Sequence, residues 1–277
     1  MKDLFNKRKA VLATMHKKEE VIAPILKTEL GIEIIVPLNF NSDKFGTFTN
    51  EIERAGNQLE AARKKVEQAM KDLQVTLGVA SEGSFGPHPA FPYVSFNREL
   101  ILLIDQEQGL EVTGYVANGN TNYAQKEVKS FEEAHEFALS IGFPSHGVIV
   151  GHDRDFIKGI TDVNELKKAV RTKLDGSATT IIETDMRAMY NPTRMKNIEL
   201  ATYDLVKKIK TPCPSCQTPG FEIKEAKKGL VCMSCNFPTD LIKSYLYECK
   251  KCSFQEEVHN PNGKQYADPM YCQLCNP

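Results

Sequence analysis

Eight cysteines constrain this chain more than any other feature, and all of them lie between Cys213 and Cys275. They form four Cys-x-x-Cys pairs: Cys213/Cys216, Cys232/Cys235, Cys249/Cys252 and Cys272/Cys275. No cysteine precedes Cys213. The intervals from Cys216 to Cys232, from Cys235 to Cys249 and from Cys252 to Cys272 are close to the ~15–20 residues that separate the two knuckles of a four-thiolate metal site. A segment this short buries little apolar core, so metal is what would fold it.

Zn²⁺ is the expected ion at two structural sites, because tetrahedral zinc takes four thiolates at about 2.3 Å. Iron in a rubredoxin-like site suits the same spacing. The simplest pairing is sequential. Cys213, Cys216, Cys232 and Cys235 would close a first zinc ribbon over residues 211–240, and Cys249, Cys252, Cys272 and Cys275 a second over 241–277. A cross-braced pairing, first knuckle with third and second with fourth, is the alternative. Disulfides need an oxidising compartment, and the charged segment Met1 to Lys9 carries no apolar signal, so a cytoplasmic protein is expected. No apolar run approaches the roughly 20 residues of a membrane helix.

Zinc ribbons often bind nucleic acid, and charge tests that role. Residues 211–277 hold seven Lys, no Arg and seven Asp plus Glu. Two divalent ions and eight thiolates bring the segment to about −4. The basic footprint and the base-reading arginines of a nucleic-acid binder are missing, so a protein partner is the stronger expectation. The whole chain, with 35 basic and 36 acidic residues, has a net charge of −1.

Residues 1–210 alternate short apolar runs with amphipathic stretches, which reads as an α/β domain, a mixed sheet flanked by helices. The pattern predicts helices over 17–30, 57–73, 130–141 and 162–174, and one starting at Asn191-Pro192. Asn57 with Glu60, and Ser130 with Glu133, have capping-box spacing. Strands are expected over 32–37, 74–80, 100–105, 111–117 and 147–150. Residues 38–56 and the Gly/Pro-rich stretch Ser81 to Pro89 are expected to be loops.

Three features of this domain carry candidate chemistry. The turn Ala13-Thr-Met-His-Lys-Lys18 ends an apolar run and enters a helix; Thr14, Lys17 and Lys18 would bind an anion there and His16 would act in catalysis. Glu60 heads the long helix as a cap or as a carboxylate for Mg²⁺. In Ser81-Glu-Gly-Ser-Phe-Gly-Pro-His88, the residues Ser81, Gly83 and Ser84 allow close backbone approach to a ligand. Glu82 and His88 add an acid and a base. Salt bridges are expected among Glu183, Asp185, Arg187 and Arg194.

In their order, these segments resemble the inosine-triphosphate pyrophosphatase and Maf-type nucleotide hydrolases. Glu60-Ala-Ala-Arg-Lys-Lys65 is similar to their Glu-x-Ala-x-x-Lys helix motif, with one alanine displaced. Ala80-Ser-Glu-Gly-Ser84 is similar to their acidic Ser/Gly loop, while His16 stands where they carry Asn. Over nearly its full length the chain resembles an uncharacterised bacterial family. Ala13-Thr-Met-His16, Ala80 to Pro89, Gly142-Phe-Pro-Ser-His-Gly147, Glu183-Thr-Asp-Met-Arg187 and the paired ribbons carry that resemblance.

Two functions follow as expectations. One is metal-assisted hydrolysis of a phosphorylated small molecule or nucleotide, with Lys17 or Lys18 on phosphate and Glu60 and Glu82 at magnesium. The other is a non-enzymatic adaptor that binds protein or nucleic acid through its ribbons.

Overall fold

The computed structural model describes residues 2–38, 40, 57–152 and 155–277. Its contacts divide the chain into two units, Met1–Val206 and Lys207–Pro277. Among the described residues no helix is long and apolar enough to cross a membrane.

The first unit runs α1 (Lys2–Phe5), β1 (Lys9–Ala13), α2 (Glu19–Leu30), β2 (Glu33–Ile35), α3 (Gln58–Leu73), β3 (Leu77–Pro87), β4 (Ser95–Asp105) and β5 (Leu110–Asn118). It continues with β6 (Gln125–Val128), α4 (Phe131–Ser140), β7 (Val148–His152), β8 (Asp155–Ile160), α5 (Val163–Leu174), β9 (Thr180–Thr184) and α6 (Pro192–Ile209). The last turn of α6 crosses the division between the units.

Two sheets result where the sequence reading expected one. The first has the order β2-β1-β3-β4-β5. Strands β1, β2 and β3 are parallel, and β4 and β5 add an antiparallel edge. Strand β1 is thus flanked by β2, reached through α2, and by β3, reached after α3. Right-handed crossovers to opposite sides place those helices on opposite faces of the sheet. Helix α3 buries Ala62, Val66, Ala69 and Met70 against Val11, Ala13, Ala80, Leu100 and Leu102. Strand alternation turns Leu12, Val79 and Ile101 to the other face. On that face α6 approaches so closely that a Cβ on Gly114 would strike its backbone at Ala201 and Leu205.

The second sheet, β6-β9-β7-β8, is antiparallel throughout. It buries Val128, Val148, Val150, Ile160 and Ile182 under α4 and α5. Strands β6, β8 and β9 escaped the sequence reading. They are short and lie beside or between polar stretches, too brief for periodicity to mark them.

Local signals set several ends correctly. Asn57 and Glu60 form the full capping box, each accepting the other's backbone N–H at 3.0 Å. Ser130 caps α4 through the Glu133 N–H at 3.2 Å, while the Glu133 carboxylate accepts from Lys129 N–H, one position earlier than the motif prescribes. Gly31 closes α2 at φ +75°, where a Cβ would be strained. Pro24 sits inside α2 without ending it. The expected loop at 81–89 is a correction: β3 runs on to Pro87, paired residue by residue with β4 as far as Pro87↔Ser95. Cross-strand hydrogen bonds override the weak strand preference of Gly, Ser and Pro there. Most of the expected loop at 38–56 lies outside the described residues.

The second unit holds β10 (Glu222–Lys228), β11 (Ile242–Glu248) and β12 (Gln255–His259) in one antiparallel sheet, order β10-β11-β12.

Candidate functional site

Each Cys-x-x-Cys pair of the second unit forms the same turn. Backbone N–H groups of Gln217, Asn236, Ser253 and Asn276 donate to the carbonyls of Cys213, Cys232, Cys249 and Cys272 at 2.8–2.9 Å. Three of these four residues, Gln217, Asn236 and Ser253, take positive φ to close it. In every pair the first cysteine is buried and the second exposed.

The knuckles assemble in an interleaved order, which corrects the sequential pairing. Cys213, Cys216, Cys249 and Cys252 form one group, and Cys232, Cys235, Cys272 and Cys275 the other. The cause lies in the hairpins. Glu222 at the start of β10 pairs with Glu248 at the end of β11, so the knuckles outside those ends share one end of the ladder. The second knuckle lies between β10 and β11, at the opposite end. There β12 ends with His259 paired to Ser244, and Ala267 bridges Cys232. Antiparallel strands alternate direction, so alternate knuckles meet. Two consecutive ribbons over 211–240 and 241–277 are therefore replaced by two interwoven sites on one sheet. Phe221 stacks on Tyr247 with centroids 5.5 Å apart and packs on Cys213 and Cys249.

The donor sets fit a tetrahedral metal. Neighbouring sulfurs are 3.7 and 3.6 Å apart in the first group and 3.9 and 3.5 Å in the second. A tetrahedron with metal–sulfur bonds of about 2.3 Å has an edge of about 3.8 Å, whereas a disulfide would bring two sulfurs to about 2.05 Å.

In the first unit, the parallel pairing of β1 with β3 matches Ala13 to Ala80 and so brings Thr14 beside Ser81. This is where the chain order of the open sheet reverses, at the carboxyl end of β1, the usual ligand position in such sheets, although β3 continues past it to Pro87. Thr14 is buried, and among the described residues its Oγ1 has no hydrogen-bond partner. An open cavity of about 640 Å³ lies beside it, lined also by Met15, Glu19, Val36, Pro37 and Phe40.

Lys18 is buried, and its Nζ donates to the Ser81 carbonyl at 2.8 Å and to Ser81 Oγ at 3.3 Å. Lys65, from the inner face of α3, forms a short buried ion pair with Glu82. Arg194, at the start of α6, donates through Nε to Glu99 at 2.8 Å and through Nη1 to the Met186 carbonyl at 2.5 Å. Its guanidinium lies 5.1 Å from the Phe85 ring centroid. Gly83 lies beneath it, and a Cβ there would stand 2.5 Å from Arg194 Nη2 and 2.7 Å from Glu99 Oε1, so one of these side chains would have to shift. Arg187 pairs with Asp185 at 2.6 Å, the salt bridge expected in that segment.

The carboxylates of this cluster are paired. Glu82, Glu99 and Asp185 each hold one cation, and among the described residues Lys18 Nζ bonds Ser81 and no carboxylate, although Glu82 and Glu99 act on its charge. Burial, with Arg194 adding to it, lowers the Lys18 pKa to about 7 from 10.5. Burial also lowers His16 to about 3, helped by Lys18, Arg194, Arg187 and Lys65, so its imidazole is neutral at neutral pH.

Not every residue singled out from the sequence comes here. Lys17 is exposed and pairs with Glu20 at 3.9 Å. At the start of α2, Glu20 N–H is used by the Lys17 carbonyl and Val21 N–H by that of Lys18. Glu60 is an exposed cap, turned about 140° around the α3 axis from Lys65. Glu60 is engaged by Asn57 and Glu82 by Lys65. His88 lies far beyond Ser81 along an extended strand, roughly 23 Å away. Its Nδ1 accepts the N–H groups of Ala90 and Phe91 in a local turn. Ser84 is half-buried on β3. Glu99, which the sequence reading passed over, sits in an apolar strand where an isolated acid in the pattern Glu99-Leu-Ile-Leu-Leu103 was the only signal.

No curated protein matches the sequence. A family model described as a domain of unknown function (DUF6671) matches residues 65–277. That span takes in Lys65, Glu82, Glu99, Arg194 and all eight cysteines. The chain belongs to this family of unknown function.

Proposed function

We propose that the chain is a zinc-stabilised protein whose first unit binds a phosphorylated small molecule at the carboxyl end of β1, beside Ser81 of β3. Lys18 carries this reading. A buried ammonium without a carboxylate is costly, and an anionic ligand supplies the missing charge. Thr14, whose hydroxyl has no hydrogen-bond partner among the described residues, lies beside Ser81 and lines an open cavity. The direct test is calorimetric titration with inorganic pyrophosphate. Wild type is expected to bind, and Lys18→Met to bind about tenfold or more weakly, a loss of roughly 1.4 kcal/mol. Equal affinities would overturn the assignment. Magnesium-assisted hydrolysis is not the favoured form of this reading, because Glu60 is spent as a cap and Glu82 is held by Lys65.

Zinc is favoured at both cysteine groups by the four-thiolate donor sets and their tetrahedral spacing. Elemental analysis of purified protein is expected to give two zinc ions per chain; iron would overturn the metal assignment.

Docking of a protein partner by the second unit is the alternative reading. Met233, Met270, Tyr271 and Leu274 flank the Cys232 group and are about half or more exposed. No Lys or Arg occurs in residues 265–277, which disfavours nucleic acid at that face.

A further inference from the structure

We propose that the face around the Cys232 metal group is a docking surface for a cationic amphipathic helix of a partner protein. The proposal rests on the docking reading of the second unit, and the anion site of the first unit plays no part in it.

The two metal groups differ in how their apolar surroundings are covered. At the first, the knuckle tips are Pro214-Ser215 and Lys250-Lys251, and the aromatic residues turn inward. Phe221 is buried against Cys213 and Cys249, with the Tyr247 and Phe254 rings 5.5 and 6.0 Å from its own. At the second, the large apolar residues face outward. Met233, Phe237, Tyr266, Met270, Tyr271 and Leu274 are exposed, from 39% at Phe237 to 64% at Met233 and Leu274. All but Tyr266 lie within two residues of a cysteine of that group, and Tyr266 precedes Ala267, which bridges Cys232. The sulfurs of Cys232 and Cys275 are 3.9 Å apart and those of Cys235 and Cys272 3.5 Å, so the two knuckles bring these side chains to one place. Gathered exposed apolar residues mark a binding surface, and Met and Tyr are favoured in one.

Backbone pairing and charge select the occupant. The backbone of the patch is already used. Met233 N–H donates to the Ala267 carbonyl at 3.0 Å, Ala267 N–H to that of Val231 at 2.8 Å, and Cys232 N–H to that of Phe237 at 2.9 Å. Contact is therefore left to side chains. A segment that binds through side chains must satisfy its own backbone, as a helix with one apolar face does. Residues 229–241 and 265–277 contain no Lys or Arg. Their acids are Asp240, paired with Lys228 at 3.2 Å, and the exposed Asp268. Four thiolates on one divalent ion add about −2. The field over the patch is negative. It complements Lys and Arg beside a partner's apolar face, and it opposes a second copy docked through the same face.

The experiment uses the full, metal-loaded chain and fluorescence anisotropy. The probe is a labelled helical peptide of Leu and Lys with the leucines on one face. One control replaces every Lys with Glu, and another reorders the Leu/Lys composition so that no apolar face forms. The Leu/Lys helix is expected to bind about tenfold or more tightly than either control. Met270→Gln with Leu274→Gln is expected to weaken it about tenfold or more and to leave the metal content unchanged by elemental analysis. Equal binding of the Glu helix would overturn the cationic class and leave the docking reading standing. Equal binding of the reordered peptide, or a double variant that binds like wild type, would overturn the assignment of this face. If neither helix binds, the docking reading falls with the proposal. A wild-type dimer in sedimentation that the double variant loses would give the face to a second copy and overturn the proposal.

Discussion

Arg194 and Glu99 form a wholly buried ion pair, N to O 2.8 Å, with neither side chain exposed. The pair joins α6 to β4, and the second Arg194 bond, to Met186, reaches the segment that follows β9 in the other sheet. Breaking it leaves a buried charge without its partner. Arg194→Leu is expected to cost about 3–5 kcal/mol in denaturant unfolding. Glu99→Leu with Arg194→Leu should cost less than either single change, because no lone charge then remains. A double variant as unstable as the sum of the singles would argue against a coupled pair.

Arg194 packs where a side chain on Gly83 would go. A methyl group there would stand 2.5 Å from Nη2, so Gly83→Ala should lower stability by about 1–3 kcal/mol. A melting temperature equal to wild type would show that the guanidinium can move aside freely.

Interleaved metal sites make a count that sequential sites do not. Cys213 and Cys249 share one group, while Cys213 and Cys232 belong to different ones. Cys213→Ser with Cys249→Ser should therefore lose one ion of two. Cys213→Ser with Cys232→Ser should lose both. Metal stoichiometry by elemental analysis distinguishes the two arrangements, which predict opposite results.

The lowered Lys18 pKa has a pH signature of definite sign. Between about pH 7 and the ordinary value of 10.5 the unfolded chain holds a proton on Lys18 that the folded chain has released. Stability from this group therefore rises with pH across that window, and the burial penalty is fully present below it. Subtracting the stability curve of Lys18→Met from that of wild type should give a difference that moves in favour of wild type from about pH 7 upward. A flat difference would show that Lys18 titrates normally.

Glu60 is a test of cap against ligand. Asn57→Ala should cost about 1 kcal/mol by removing the capping box. Glu60→Gln, which keeps an oxygen for the Asn57 N–H, should change neither stability nor pyrophosphate binding measurably.

Local interactions explain what was legible in advance. Helices α3, α4 and α5 are each written in a stripe of apolar residues behind a capping residue, and such signals act over three or four positions. The long strand β3 was not legible beyond Ala80. Gly83, Gly86 and Pro87 read as a turn until β4 supplies a partner for each residue. The candidate site was half legible: Thr14, His16 and Lys18 follow the end of β1, and Ser81 and Glu82 stand in the Gly/Ser-rich stretch that the sequence marks. Their companions Lys65, Glu99 and Arg194 arrive from a helix face, a strand interior and a helix start far along the chain.

By itself, the sequence determined that the segment from Cys213 to Cys275 carries two four-cysteine groups, because each knuckle is a local turn and eight thiolates divide into two tetrahedra. Only the tertiary structure decided which knuckles share a group, since that depends on which end of an antiparallel ladder each one occupies. It likewise decided that Lys18, among the described residues, bonds Ser81 and no carboxylate. Charge pairing is a property of groups brought within a few ångströms, and Glu82, Glu99 and Asp185 choose their partners only after the sheets and α6 have packed.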